Sequence, residues 1–176
     1  MADETKEPWL NWLALSTVIL AVCATMATFK GGGYSTRSVL SQAQASDQWA
    51  FYQAKSMKSN LYEINREGLE LQAEGAPAAH AEALKKKAAD YAKKVARYDQ
   101  EKEQIQAEAH RLEKVKEEAQ KHGAAFGVAV IYLQISILLS SIAALLKKKP
   151  VWLLGLAVGL VGVVYFINGF LLVLHA

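Results

Sequence analysis

Two apolar blocks bracket a charged one, and that arrangement limits what the chain can become. Of the 20 Lys and Arg, 16 fall between residues 30 and 122, and so do 14 of the 17 Asp and Glu. Residues 8–29 and 124–174 carry none of these four types apart from Lys147-Lys148-Lys149. A soluble globular domain mixes its charges along the chain, whereas segregated blocks of this length indicate membrane spans plus a polar region. Proline is rare and the glycines are clustered, so the expected class is all-α, with no β-hairpin signals.

Residues 1–8 read as a short polar tail, with Pro8 suited to the first turn of a helix. The run 9–29 is long enough for one crossing at about 1.5 Å per residue. Its acidic start and its length favour an uncleaved anchor over a signal peptide. Trp9 and Trp12 sit where an interfacial aromatic belt belongs. Residues 30–34 contain Gly31-Gly32-Gly33, which is expected to end this helix as a hinge. Ser35 or Thr36 can then cap the next one.

The stretch 35–122 carries two heptad-like patterns. In the first, Leu40, Ala43, Asp47, Ala50, Ala54, Met57, Leu61, Ile64, Gly68 and Leu71 alternate spacings of three and four. In the second, Ala81, Leu84, Ala88, Tyr91, Val95, Tyr98, Lys102, Ile105, Ala109, Leu112, Lys116 and Ala119 do the same. The segment Glu74-Gly75-Ala76-Pro77 separates them with turn chemistry, placing a turn near 74–78. Two runs of similar length joined by a short loop predict an antiparallel two-helix coiled-coil hairpin. Trp49, Phe51, Tyr52 and Tyr62 lie off the first pattern. They are candidates for an interaction surface toward a neighbouring copy or another protein, or they fold over their own hairpin.

Charges support the pairing. Glu63, Glu67, Glu70 and Glu74 precede the turn, and Lys85, Lys86, Lys87, Lys93, Lys94 and Arg97 follow it. Folding about residue 76 also brings Asp47 near Lys102, so these two are the candidate register pair in otherwise apolar seams. The acidic partner helix argues against reading Lys85–Lys87 as a nucleic-acid or lipid patch.

A second span is expected over 124–146, a basic loop over 147–150 and a third span over 151–174. Gly155, Gly159, Gly162 and Gly169 fall on one helical face, with Asn168 beside it. Gly155-x-x-x-Gly159 is a small-xxx-small motif for close helix packing, and a buried amide most simply serves interhelical hydrogen bonding. A tight three-lysine turn favours the cytoplasm, which would place the amino terminus there too and the hairpin outside it.

Chemistry is harder to find. His80, His110, His122 and His175 lack a second ligand at metal spacing. Cys23 is the one cysteine and reads as a small packing residue. There is no phosphate-binding glycine loop, nucleophile elbow or dinucleotide fingerprint. The reading is of a non-enzyme without cofactor.

The segment Gln44-Ala45-Ser46-Asp47-Gln48-Trp49-Ala50-Phe51-Tyr52-Gln53-Ala54-Lys55-Ser56 resembles a family of small bacterial membrane proteins described as a domain of unknown function, DUF4337. That family has an Ala/Leu-rich first span, a QASDQWAYYQAKSIK-like segment, a charged helix, and a basic break between two terminal spans. Here Phe51 and Met57 stand in place of a Tyr and an Ile. The likeness covers most of residues 9–172. The amino tail lacks the long His- and Glu-rich lead of relatives, which speaks against a tail-based metal role. The resemblance implies three spans and an inner-membrane location, and no activity.

Together these features predict an integral membrane protein that contacts lipid and self-assembles through its hairpin and glycine-rich span into a scaffold. Two other roles fit the same residues. One is an accessory subunit docked on a larger membrane complex. The other is an oligomeric channel or transporter lined by residues such as Gln134, Ser141 and Asn168.

Overall fold

The computed structural model describes residues 8–173, so most of the polar tail and the last residue of the expected third span lie outside the described residues. Three helices account for the architecture: α1 (Pro8–Glu74), α2 (Ala78–Leu146) and α3 (Lys149–Leu171). Among the described residues there is no strand. Each helix contains a stretch long and apolar enough to cross a membrane.

α1 does not stop at the glycines. It runs unbroken through residues 30–34, so the expected hinge is absent. Close packing explains the first glycine. A Cβ on Gly31 would stand 3.1 Å from the Cβ of Phe126, and Gly123 faces the same contact from α2. Helix interiors disfavour glycine by about 1 kcal/mol, but tertiary packing routinely overrides that local cost.

The expected breaks do occur at Gly75-Ala76-Pro77 and at the lysines. His80 N and Ala81 N both donate to Pro77 O at 2.9 Å, which starts α2 without a side-chain cap. At its far end, Lys147 takes a left-handed conformation with φ 48, and Lys148 N donates back to Ala143 O at 3.1 Å. This is a Schellman-type stop made without glycine. Pro150 then occupies the first turn of α3, where a missing N–H costs nothing.

The chain divides into two compact units. The first comprises residues 8–39 and 116–173, and the second Leu40–Val115. In the first unit two apolar clusters form the interior. Leu20, Ala24 and Leu133 gather Cys23, Ile137 and Val163 around them. Ala27, Phe126 and Ala129 gather Tyr34, Val130, Tyr165 and Phe166. In each cluster alanines (Ala24, Ala27 and Ala129) sit beside large side chains such as Leu133 and Phe126, so the helices approach closely where the alanines face them.

In the second unit, contacts between α1 and α2 run in opposite sequence directions: Trp49 with Glu113, Lys55 with Glu101, Ser59 with Asp99 and Tyr62 with Tyr91. The α2 seam is the expected one, with Ala88, Ile105, Ala109 and Leu112 buried. The α1 seam is not. Its inward positions are Ser41, Ala45, Tyr52, Lys55, Ser59, Tyr62, Leu69 and Ala73, each buried or half-buried. With half-buried Gln48 and Arg66 these repeat at threes and fours, one to two residues out of phase with the expected stripe. Leu40, Met57, Leu61, Ile64 and Leu71, expected inside, are all exposed.

Candidate functional site

Three places carry the residues singled out above. The first is the contact face within the second unit. Trp49 Nε1 donates to Glu113 Oε1 at 2.9 Å, while His110 Nδ1 lies 2.9 Å from the other carboxylate oxygen. Trp49 also meets His110 and Tyr52 edge-on, at centroid distances of 5.2 and 5.7 Å. One helical stretch further on, Tyr62 packs against both Tyr91 and Tyr98. Lys94 Nζ sits over the Tyr62 ring at 4.8 Å and over the Tyr91 ring at 5.4 Å. Aromatic faces attract cations through their quadrupole, so Lys94 fastens the two tyrosines from the exposed side.

Trp49, Tyr52 and Tyr62 are thus turned into the helix pair and are not an outward surface. Of the four candidate aromatics, Phe51 alone is exposed, with Lys55 Nζ over its ring at 5.2 Å. The rotated α1 seam is the physical reason: positions that looked like flanks of an apolar stripe are the inward stripe itself.

The expected register pair is also replaced. Asp47 is exposed, and Lys102 Nζ binds Asp99 Oδ1 on its own helix at 2.7 Å. Register is instead marked by Lys55 Nζ on Glu101 Oε2 at 2.5 Å and by Ser59 Oγ donating to Asp99 Oδ1 at 3.2 Å. Both carboxyls are held below their ordinary values. For Glu101 the causes are hydrogen bonds from Lys55 and then Arg97, and for Asp99 the hydrogen bond from Lys102 leads. The acidic run before the turn does not simply face the basic run after it, because Glu63 and Glu70 are bound by Arg66 between them.

The second place is the glycine face of α3. Gly155, Gly159, Gly162, Asn168 and Gly169 are the buried residues of that helix. A Cβ on Gly159 would stand 2.7 Å from Ser136 Oγ, on Gly162 2.8 Å from Leu133 Cγ, and on Gly169 2.7 Å from the Phe126 ring. Ser136 Oγ donates to Gly155 O at 2.6 Å. The face is therefore consumed inside the chain, largely against α2, and does not offer itself to another copy. Gln134 and Ser141 are exposed on α2 while Asn168 is buried on α3, so these three do not line one path within a chain.

The third place escaped the sequence reading. His122 Nδ1 lies 2.7 Å from Gly169 O near the end of α3, and its ring stacks on Tyr34 at 4.5 Å. A lone histidine on a Glu/Lys-rich helix carries no signal; the signal is its position opposite the last turn of a helix whose carbonyls lack partners. Among the described residues, no three His, Cys, Asp or Glu converge as metal ligands.

The fold defines an all-helical protein with three helices long and apolar enough to cross a membrane, the first two of which also supply the charged Leu40–Val115 unit. The chain belongs to the family described as a domain of unknown function, DUF4337, whose model matches residues 9–172. No curated protein and no solved structure matches it.

Proposed function

We propose that this chain is a non-enzymatic integral membrane protein of the bacterial inner membrane that organises a membrane assembly by associating with itself. In this reading the two segments of the second unit form an antiparallel coiled-coil hairpin on the periplasmic side. The amino terminus and the Lys147–Lys149 turn are cytoplasmic.

One observation carries the reading. The most apolar stripe of the second unit, from Leu40 to Leu71 on α1, is exposed. A contiguous exposed apolar surface on an otherwise charged unit marks an interaction site. The inward face of the same helix is built from serine, alanine, tyrosine and lysine with Leu69, so Leu40, Met57, Leu61, Ile64 and Leu71 are not spent on holding the pair together. The glycine face of α3, the other surface expected to drive assembly, is filled by Phe126, Leu133 and Ser136 and drops out of the proposal.

The test is the native mass and composition of the particle extracted from membranes in mild detergent. A single-component oligomer supports the scaffold. A monomer refutes it, and stoichiometric foreign subunits refute it in favour of an accessory role. Orientation is read separately, by labelling Glu74→Cys with a membrane-impermeant maleimide in intact cells with a permeable outer membrane.

A further inference from the structure

We infer that α1 holds the phosphate of an anionic phospholipid between Lys30 and Arg37, in a groove that Gly32 and Gly33 open where the apolar run 9–29 ends. The inference rests on the membrane-spanning part of the reading above and is independent of self-association.

Gly31 is small because Phe126 faces it. Gly32 and Gly33 have no such reason, since an added Cβ at either would meet nothing within 4 Å. Both weaken a helix interior, and no close approach within the chain explains them. Their missing side chains leave an open groove of about 640 Å3, with Phe29, Lys30, Thr36 and Arg37 also on its walls. The whole groove lies on α1 within the first unit.

Charge selects the occupant. Lys30, Gly33 and Arg37 follow one another at three and four, so one helical face carries a cation, a gap and a cation. The two cations stand seven residues, about 10.5 Å, apart along the axis, a separation that two long side chains close from either end. Both are exposed. Among the described residues neither enters an ion pair or sits over an aromatic ring. No Asp or Glu stands on α1 between Pro8 and Ser46. Lys55, Lys94 and Lys102, by contrast, already have partners.

Position selects the source of the phosphate. Phe29 closes the apolar run and is 79% exposed. A bare aromatic followed by a lysine is what a helix presents where hydrocarbon gives way to headgroups. A groove at that depth meets lipid phosphate, and its Phe29 wall suits the adjoining acyl chain. Arg offers phosphate two parallel N–H donors, and Lys a point charge. A zwitterionic headgroup would bring its own cation to two uncompensated ones, so the fit is to a lipid of net negative charge such as phosphatidylglycerol. The bound headgroup holds α1 at the depth where its apolar run ends.

The experiment titrates the full chain in non-ionic detergent with dioleoyl phosphatidylglycerol or dioleoyl phosphatidylcholine and counts bound lipid by native mass spectrometry. Wild type should prefer phosphatidylglycerol several-fold. Lys30→Gln with Arg37→Gln should weaken phosphatidylglycerol binding roughly ten-fold and leave phosphatidylcholine unchanged. Lys85→Gln with Lys86→Gln removes the same charge from α2 and should keep the preference. Gly33→Leu fills the groove with both cations in place and should weaken binding several-fold. Equal binding of the two lipids by wild type, or a preference that survives loss of Lys30 and Arg37, overturns the site. An equal loss in the Lys85 and Lys86 variant reduces it to net charge and overturns it too. Full binding by Gly33→Leu overturns the groove, and release of the lipid by millimolar inorganic phosphate overturns the lipid as its occupant. Alkaline carbonate washing separates the two levels. A chain stripped from membranes without detergent sinks the membrane reading and this site together; one that stays in membranes but shows no lipid preference sinks this site alone.

Discussion

Lys55 Nζ lies 2.5 Å from Glu101 Oε2 across the two helices of the Leu40–Val115 unit, with both side chains largely shielded from water. Lys55 is also over the rings of Phe51 and Tyr98, each at 5.2 Å. One cation therefore joins an ion pair and two aromatic faces, so its removal should cost more than a simple surface pair, for which about 0–1 kcal/mol is usual. Lys55→Ala should destabilise the pair by roughly 1–2 kcal/mol. Glu101→Ala should cost less, since Lys55 keeps its rings. A double-mutant cycle followed by chemical denaturation of the intact protein in detergent measures the coupling; zero coupling would remove this pair as a register mark.

The same carboxylates set an acid dependence. Glu101 and Asp99 are lowered in the folded chain from ordinary values of 4.5 and 3.8. A lowered carboxyl contributes stability that is fully present above its unfolded value and lost as pH falls through the folded value. Stability of the helix pair should therefore be level above about pH 5 and decline progressively below pH 4.5. Glu101→Gln should flatten part of that decline. The readout is helical content and denaturation midpoint between pH 3 and pH 7.

Asp47 and Lys102 should show no coupling, because Lys102 binds Asp99 and Asp47 is exposed. Replacing Asp47 by Leu should leave the helix pair's own stability within about 0.5 kcal/mol, as exposed substitutions generally do. It should strengthen self-association, since it completes the apolar stripe. Lys102→Ile, by contrast, frees Asp99 to face only Ser59. Thermal denaturation and native mass on the same variants separate these two effects.

The glycines divide into two groups with opposite expected signs. Gly32 and Gly33 have nothing within 4 Å of an added Cβ, so alanine at either should stabilise α1 by roughly 0.5–1 kcal/mol. Gly162→Ala and Gly169→Ala would drive a methyl group to within 2.8 and 2.7 Å of Leu133 and Phe126. Overpacking of this kind costs about 1–3 kcal/mol. Thermal unfolding in detergent orders the four variants. Loss of stability at Gly32 or Gly33 would restore the hinge that the continuous helix contradicts.

Much of the architecture could be read from residue type alone, and the misses share a cause. Turn chemistry at Gly75–Pro77, the α2 seam and the glycine face of α3 were legible because a single local pattern pointed one way at each. α1 carries two stripes with the same three-four repeat, one to two residues apart, and counting apolar residues selects Leu40–Leu71. The helix pair uses the other, because Lys55, Ser59, Trp49 and Tyr62 find specific partners on α2 that no single-helix pattern displays. Gly31 misled for a similar reason: local propensity reports a break, and only the presence of Phe126 opposite it shows why the position must be small. His122 was invisible because its partner, the Gly169 carbonyl, belongs to the backbone of a segment 47 residues away.

His122 offers the last prediction. Its Nδ1 takes the Gly169 carbonyl at 2.7 Å while its ring stacks on Tyr34 at an interplanar angle of 13°. Carbonyls in the final turn of a helix have no partner within the helix, and an apolar surrounding raises the cost of leaving one unmet. His122→Ala should lose both bond and stack, for roughly 1–3 kcal/mol. His122→Phe keeps an aromatic ring against Tyr34 and loses only the bond, so it should recover part of that loss. His122→Asn, which retains a donor on a shorter side chain without the ring, separates the contributions further. Thermal unfolding in detergent ranks them: wild type above Phe, Phe above Ala. If Phe equals wild type, the bond to Gly169 contributes nothing and the histidine acts through stacking alone.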